Sequence, residues 1–502
     1  MKNGQEGGLL SVVVRVRDEA TQLLFEVRRR ATASRKTLAV FVVAVVALAG
    51  ALTGVTVAVL GGGPGVYVVG FDEDRVMRFE QDLVGMGPRW SGTANETHTA
   101  EYVAEHFRQA GLSDVRIEDF SRILWEADTA EISIVPYNPL GLTPSLRESP
   151  IAFQHKVDFV VQGYSGSRPS PNFRSDLLPF WATGDGSNAS HFSGGAGRAC
   201  IVEWKEASIA GNTAIFTNAD AAGCAAVLAH NMVYTEHLDY LPISKGSAVP
   251  DTWPNASYPS IPFAAMSKAM GDSIRAHSGW KMRVNFDVTI EPRIIHVVTG
   301  DVKGTLDPSR FVMLGAHHDN VYVNRGAVDD ATGTATILEL AYQLAGTAPK
   351  YTIRLATFGG EEQGLLGSRD WRDAHIEEVN ASMIAMLQFD MNHVDLERCN
   401  NVQFYTNNND TLPGLQRSHE RIVGEHPAYG ANYAPTIGWA DTSMMGSDMA
   451  SFAAVGKTAM FAFGCGSWEY HTYLDDIDRV KPESMAYTGQ VFASYALSLA
   501  NG

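Results

Sequence analysis

At 502 residues the chain is long enough for two or three domains with a large core. A hydrophobic content of 45% against 19% charged residues excludes a mainly disordered chain. A net charge of −17 excludes a general nucleic-acid binder, because neutralising phosphates requires a surplus of Lys and Arg.

Residues 37–60, TLAVFVVAVVALAGALTGVTVAVL, carry no charge and are long enough to cross a hydrocarbon core of about 30 Å as a helix. Arg28, Arg29, Arg30, Arg35 and Lys36 precede this run, and acidic residues follow it. The positive-inside rule therefore predicts a cytoplasmic segment 1–36, a transmembrane helix 37–60 and an extracytoplasmic remainder. Cleavage at the ALA of 47–49, giving a secreted protein, is the competing reading, although the run exceeds a usual signal-peptide core. Gly50 and Gly54 form a GxxxG pair able to pack two such helices, so a homodimer is also an expectation.

Next come a predicted helix, a Gly/Pro turn at GMGPRWSGT, and a second helix over ETHTAEYVAEHFRQAGL that Gly111 is placed to end. DVRIEDF reads as a strand. From about 150 to 290 the texture changes to short strand-like runs between Gly, Ser, Pro and Asn clusters, with a helix near DAAGCAAVLAHN. That is a domain of its own, in which no charged cluster demands catalysis. Cys200, Cys224, Cys399 and Cys465 suggest one disulfide in each of two domains, Cys200 with Cys224 and Cys399 with Cys465, out of three connectivities.

From about 293 strands and helices alternate, which predicts an α/β fold with a mixed, mostly parallel sheet between helices. FVMLGAHHD, YTIRLATFGGEE and SMIAMLQFDMNH are strands that each end in metal-type ligands. In such sheets these ends converge at one edge. Asp329 and Asp330 follow the first strand, and His471 in YHTYLDD supplies a further imidazole. Acids and imidazoles with no Lys or Arg between them would form a like-charged pocket unless cations occupy it, and two zinc ions meet that requirement. Neighbouring side chains diverge, so one of Glu361 and Glu362 can face metal while the other acts as general base.

LGAHHD, GAVDDATG, FGGEEQGLLGS, QFDMNH, GSDMASF and YHTYLDD together resemble the zinc exopeptidases of clan MH. These include leucyl aminopeptidases, aminopeptidase Y, glutamate carboxypeptidase II and the non-catalytic transferrin receptor. The resemblance implies a peptidase fold over 72–149 and 291–502, interrupted at 150–290 by a mainly-β protease-associated (PA) domain. It implies His317, Asp329, Glu362, Asp390 and His471 as metal ligands. Asp329 would bridge both ions across a cis Asp329–Asp330 peptide. His317 and Asp390 would share one ion, Glu362 and His471 the other. Asp319 would hold His317, Glu361 would be the general base, and Tyr470 would polarise the oxyanion. The expected activity is that of a membrane-anchored di-zinc aminopeptidase acting on peptide or protein N-termini. A carboxypeptidase or dipeptidase, a glutaminyl cyclase and a receptor-like homologue are the alternatives. Two departures stand out: His318 replaces the usual aromatic between His317 and Asp319, and Met449 follows Ser447-Asp448 where relatives have His or Tyr.

Overall fold

A computed structural model describes residues 67–137, 148–169, 175–204, 208–232, 241–246 and 259–502. The span expected at 37–60, with its GxxxG pair, lies outside the described residues. Among the described residues no helix is long and apolar enough to cross a membrane.

In chain order the strands are β1 (Ser113–Val135), β2 (Ile151–Phe153), β3 (Phe159–Val161), β4 (Pro179–Trp181), β5 (Ala199–Trp204), β6 (Ala226–Asn231), β7 (Phe263–Met266), β8 (Lys281–Val302), β9 (Asp307–His317), β10 (Tyr351–Phe358), β11 (Met383–Phe389), β12 (Asn401–Thr406), β13 (Ala434–Trp439) and β14 (Thr458–Gly464). Among the described residues they form a nine-stranded sheet, β13-β12-β14-β11-β9-β10-β8-β1-β2, and a five-stranded sheet, β3-β7-β6-β5-β4.

The fold is α/β and the large sheet is mixed, but it is not mostly parallel. Parallel pairing is confined to β10·β9, β9·β11, β11·β14 and β12·β13. β1·β2, β1·β8, β8·β10 and β12·β14 are antiparallel. The difference comes from β1 and β8, which run side by side from Ser113↔Asp301 to Val135↔Lys281 as one long antiparallel ribbon. The reading of DVRIEDF captured only the first third of β1.

β9 shows how this sequence makes a buried central strand. Val312, Leu314 and Ala316 enter the core on one face, with the helices Thr332–Leu344 and Pro482–Asn501, while Phe311 and Met313 enter the core on the other, with Trp371 and Phe452. Apolar residues on both faces are what a strand covered on two sides requires. Asp72 caps the helix Glu73–Gly85 by accepting from the Arg75 backbone N–H at 2.9 Å. The helix Ala94–Ala110 ends on Gly111 at φ +95°, as its position predicts.

The smaller sheet is more α/β than mainly β. β4·β5, β5·β6 and β6·β7 are parallel, and only β3·β7 is antiparallel. The helix expected near 220–231 lies earlier, at Ile209–Ala221, and Ala226–Asn231 is a strand buried along its whole length. A short, continuously apolar segment has no periodicity to separate a buried strand from a helix. Disulfides join Cys200 to Cys224 and Cys399 to Cys465.

Candidate metal centre and catalytic cavity

Because β10, β9 and β11 are parallel neighbours, their C-terminal ends meet at one edge of the large sheet. His317 is the last residue of β9, Glu361 and Glu362 follow Phe358 at the end of β10, and Asp390 directly follows β11. Asp329 arrives from the loop before the helix Thr332–Leu344, through a cis Asp329–Asp330 peptide bond. His471 arrives from the segment after β14.

Two sets of ligand-type atoms result, each with all members within 4.8 Å of one another: His317, Asp329 and Asp390, and Asp329, Glu362 and His471. Asp329 belongs to both. Its Oδ1 lies 3.2 Å from His317 Nε2 and its Oδ2 lies 3.1 Å from His471 Nε2. His471 Nε2 is also 3.0 Å from Glu362 Oε2, and His317 Nε2 is 3.8 Å from Asp390 Oδ2.

Each imidazole has its other nitrogen engaged. His317 Nδ1 donates to the Asp319 carbonyl at 3.1 Å, and His471 Nδ1 donates to the Ser244 carbonyl at 2.6 Å. A carbonyl can only accept, so Nδ1 carries the proton and each Nε2 turns its lone pair toward carboxylate oxygens. Lone pairs facing lone pairs require a cation between them, a proton or a metal ion. His317 Nε2 and Glu362 Oε1 are moreover buried without a hydrogen-bond partner among the described residues. The donor set, nitrogen and carboxylate oxygen, suits zinc.

The acids behind this layer position it. Asp319 accepts from Ser91 Oγ at 2.6 Å and from the backbone N–H of Glu361 and Glu362 at 3.2 and 3.4 Å, so it fixes the glutamate pair as well as the His317 ring. Asp330, to which the sequence reading gave no role, accepts from the backbone N–H of His317, Gly333 and Met391. One buried carboxylate thus holds the ends of β9 and β11 together. Gly333 has to be glycine here, because a Cβ would stand 2.4 Å from Asp330 Oδ2. Asp475 likewise accepts from the N–H of Val328 and Asp329 at 2.7 and 3.2 Å.

The charge balance points the same way. Burial opposes the charge on His317, but the neighbouring carboxylates of Glu361, Asp319 and Asp329 outweigh it and raise its pKa well above the ordinary value. Burial, reinforced by Glu362, raises Glu361 well above its ordinary value. Asp390 is pushed up to about 6, chiefly by burial, with Asp329 adding to it. Asp448 is pushed up to about 7, again by burial first, so GSDMASF contributes a buried acid that the sequence reading passed over. Asp329 moves the other way: burial is outweighed by the two imidazoles that face it. A cluster of acids that protons partly neutralise is one that divalent cations would neutralise instead.

Asp329, Glu362, Asp390 and His471, though not His317, line a cavity of about 700 Å³. Its apolar wall includes Met391, Met444, Met449, Phe461 and Phe463, and Tyr470 lines it beside His471. Among the described residues that line it, Lys245 is the only Lys or Arg. Lys245 and Ser244 come from the 150–290 region, where the sequence offered no signal for them.

Three comparisons bear on the chain. Residues 297–496 match the model of peptidase family M28. A "Probable zinc metalloprotease" of Pyrenophora tritici-repentis is 32% identical over 157 residues, 29% of this chain and 35% of that protein. The match therefore spans about a third of that curated relative. "Aminopeptidase YwaD" of Bacillus subtilis is 25% identical over 418 residues, 81% of this chain and 80% of its own. The solved structure of BSAP, a zinc aminopeptidase from Bacillus subtilis, superposes with a TM-score of 0.65 at 20% identity, covering 85% of this chain and 94% of that one, which shows a common fold.

Proposed function

We propose that this chain, a homologue of the M28 zinc peptidases through residues 297–496, is a di-zinc exopeptidase that removes residues from peptide or protein N-termini. The observation that carries this reading is the pair of ligand-type sets sharing Asp329, with His317 Nε2 and Glu362 Oε1 buried and without a hydrogen-bond partner among the described residues. His317 and Asp390 would hold one ion, Glu362 and His471 the other, and Asp329 would bridge them. Zinc in that position supplies Lewis acidity, polarising the scissile carbonyl and acidifying water.

The chain's own groups do the rest. Glu361 lines the cavity beside Glu362, and its backbone is clamped by Asp319. Glu361 takes a proton from the attacking water and returns it to the leaving amine nitrogen as the C–N bond breaks. Tyr470 directs its phenol at the developing oxyanion. The apolar wall of methionines and phenylalanines favours substrates with an apolar terminal side chain.

In the same reading, residues 150–290 form a PA-type insert and residues 37–60 a retained membrane anchor with the catalytic part outside the cytoplasm. Support for the anchor is the uncharged run and the basic residues before it.

The test is zinc analysis together with terminal blocking. About two zinc per chain after gentle purification is expected. Acetylation of the substrate α-amine should abolish turnover while amidation of its carboxylate leaves it. The reverse pattern would make the protein a carboxypeptidase, and about one zinc with no peptide turnover would favour the cyclase reading.

A further inference from the structure

The cavity is rich in acids, yet one cation enters it, and it comes from outside the metal-binding half of the chain. Lys245 Nζ contacts the phenolic oxygen of Tyr470, and the same ammonium stands 4.7 Å from the centroid of the Tyr470 ring. Its backbone is held on the insert side: Lys245 N–H donates to Gln162 Oε1 at 3.1 Å, and its carbonyl accepts from the Gly163 N–H at 3.2 Å. The next residue back, Ser244, is bonded to His471. Lys245 is therefore delivered to Tyr470 by a backbone anchored at both ends of the contact.

An ammonium has three donors and no acceptor, so against a phenol it can only donate. With Nζ–H donating to the Tyr470 oxygen, the phenol keeps its own O–H to donate into the cavity. A donor whose oxygen already accepts from a cation is polarised and donates more strongly, and burial enlarges the effect.

We propose that Lys245 is a positioning residue for catalysis, whose ammonium orients and polarises the Tyr470 phenol so that the phenol binds the substrate's carbonyl oxygen more strongly in the transition state than in the ground state. The inference rests on the exopeptidase reading given above. It assigns the 150–290 region a part in the chemistry.

The test uses the full chain loaded with zinc and an aminoacyl p-nitroanilide, which has no carboxylate for a lysine to bind. Lys245→Met should lower kcat about ten- to hundredfold, with KM changed by less than about threefold and bound zinc unchanged. In a Tyr470→Phe background the same substitution should change kcat by less than about twofold, because the group it acts through is gone. A second readout is calorimetric: Lys245→Met should weaken binding of a tetrahedral phosphinic dipeptide about tenfold in the wild-type background and not in Tyr470→Phe. If Lys245→Met does not fold, Lys245→Gln takes its place under the same expectations.

Equal losses in both backgrounds would overturn the proposal. So would an unimpaired p-nitroanilide reaction with a loss confined to substrates bearing a free carboxylate, which would make Lys245 a carboxylate clamp. A wild-type protein that turns over neither amine-blocked nor carboxyl-blocked peptides would remove the peptidase reading and this inference with it, an outcome distinct from an active wild type with an indifferent Lys245.

Discussion

Ser244 and His471 hold each other in both directions: the Ser244 N–H donates to the His471 carbonyl at 3.0 Å, and His471 Nδ1 donates to the Ser244 carbonyl at 2.6 Å. His471 sits at φ +56°, a left-handed conformation that a side-chain-bearing residue rarely adopts and that costs on the order of 1–3 kcal/mol. The two bonds offset that cost and fix which ring nitrogen is free for a metal.

Both contacts use the backbone of Ser244, so its hydroxyl is dispensable and its N–H is not. Ser244→Ala should retain zinc like the wild type. Ser244→Pro should retain it about ten- to hundredfold more weakly against a competing chelator. Equal retention by the proline variant would show that the Ser244 backbone does not support His471.

Under the proposed function, variants of Glu361 and Asp329 should separate catalysis from metal binding. Glu361→Gln keeps the volume and the bond from its N–H to Asp319, so zinc content should hold while kcat falls about 10²- to 10⁴-fold. Asp329→Asn alters a group common to both ligand sets, and zinc per chain should drop along with activity. Near-normal turnover by Glu361→Gln would remove Glu361 as the base.

The strands that meet at the candidate metal centre were legible because β9, β10 and β11 each contain a buried apolar run that ends at or just before His or acid residues, and parallel neighbours must end at one edge. Asp330 was visible as a residue but not as a tie between strand ends, since its three backbone partners lie on three separate segments. The antiparallel half of the sheet was underestimated because only the alternating start of β1 carries a period-2 signal, its burial turns irregular beyond Ser121, and its pairing with the distant β8 leaves no local pattern. Lys245 and Ser244 left no trace, for their partners lie 225 and 227 residues away and no local pattern reports such a contact.

Glu96 lies fully buried behind the site, accepting from His296 N–H at 3.0 Å and meeting His296 Nδ1 at 2.8 Å and His318 Nε2 at 3.2 Å. Burial opposes its charge, but its hydrogen bonds to the two imidazoles lower its pKa, while burial is likewise outweighed at His296, whose pKa rises. His318, the departure from the usual aromatic, thus packs as a partner of this acid. Glu96→Gln leaves an imidazole facing an uncharged amide and should cost about 2–4 kcal/mol in urea unfolding at pH 6. A loss under about 0.5 kcal/mol would mean that the cluster contributes shape alone.

His393 predicts the direction of acid sensitivity. Burial, the largest influence, lowers its pKa from 6.5 to about 4, with Lys481 acting in the same sense and Asp395 and a backbone hydrogen bond involving Arg479 opposing it. Its Nε2 has no hydrogen-bond partner among the described residues. A histidine kept neutral by the fold contributes no penalty above the unfolded value. As pH falls from 6.5 toward 4, the unfolded chain takes up a proton that the folded chain refuses, so stability drops progressively across that window. The gap corresponds to roughly 3 kcal/mol in full, and to about 2 kcal/mol by pH 4.5. Urea unfolding of the wild type at pH 7 and 4.5, set against His393→Asn, isolates this contribution. The variant starts less stable at pH 7 if the ring packs well, but its further loss on acidification should be smaller than that of the wild type by about 2 kcal/mol. Parallel pH profiles for the two proteins would mean that His393 takes up its proton in the folded state as readily as in the unfolded one.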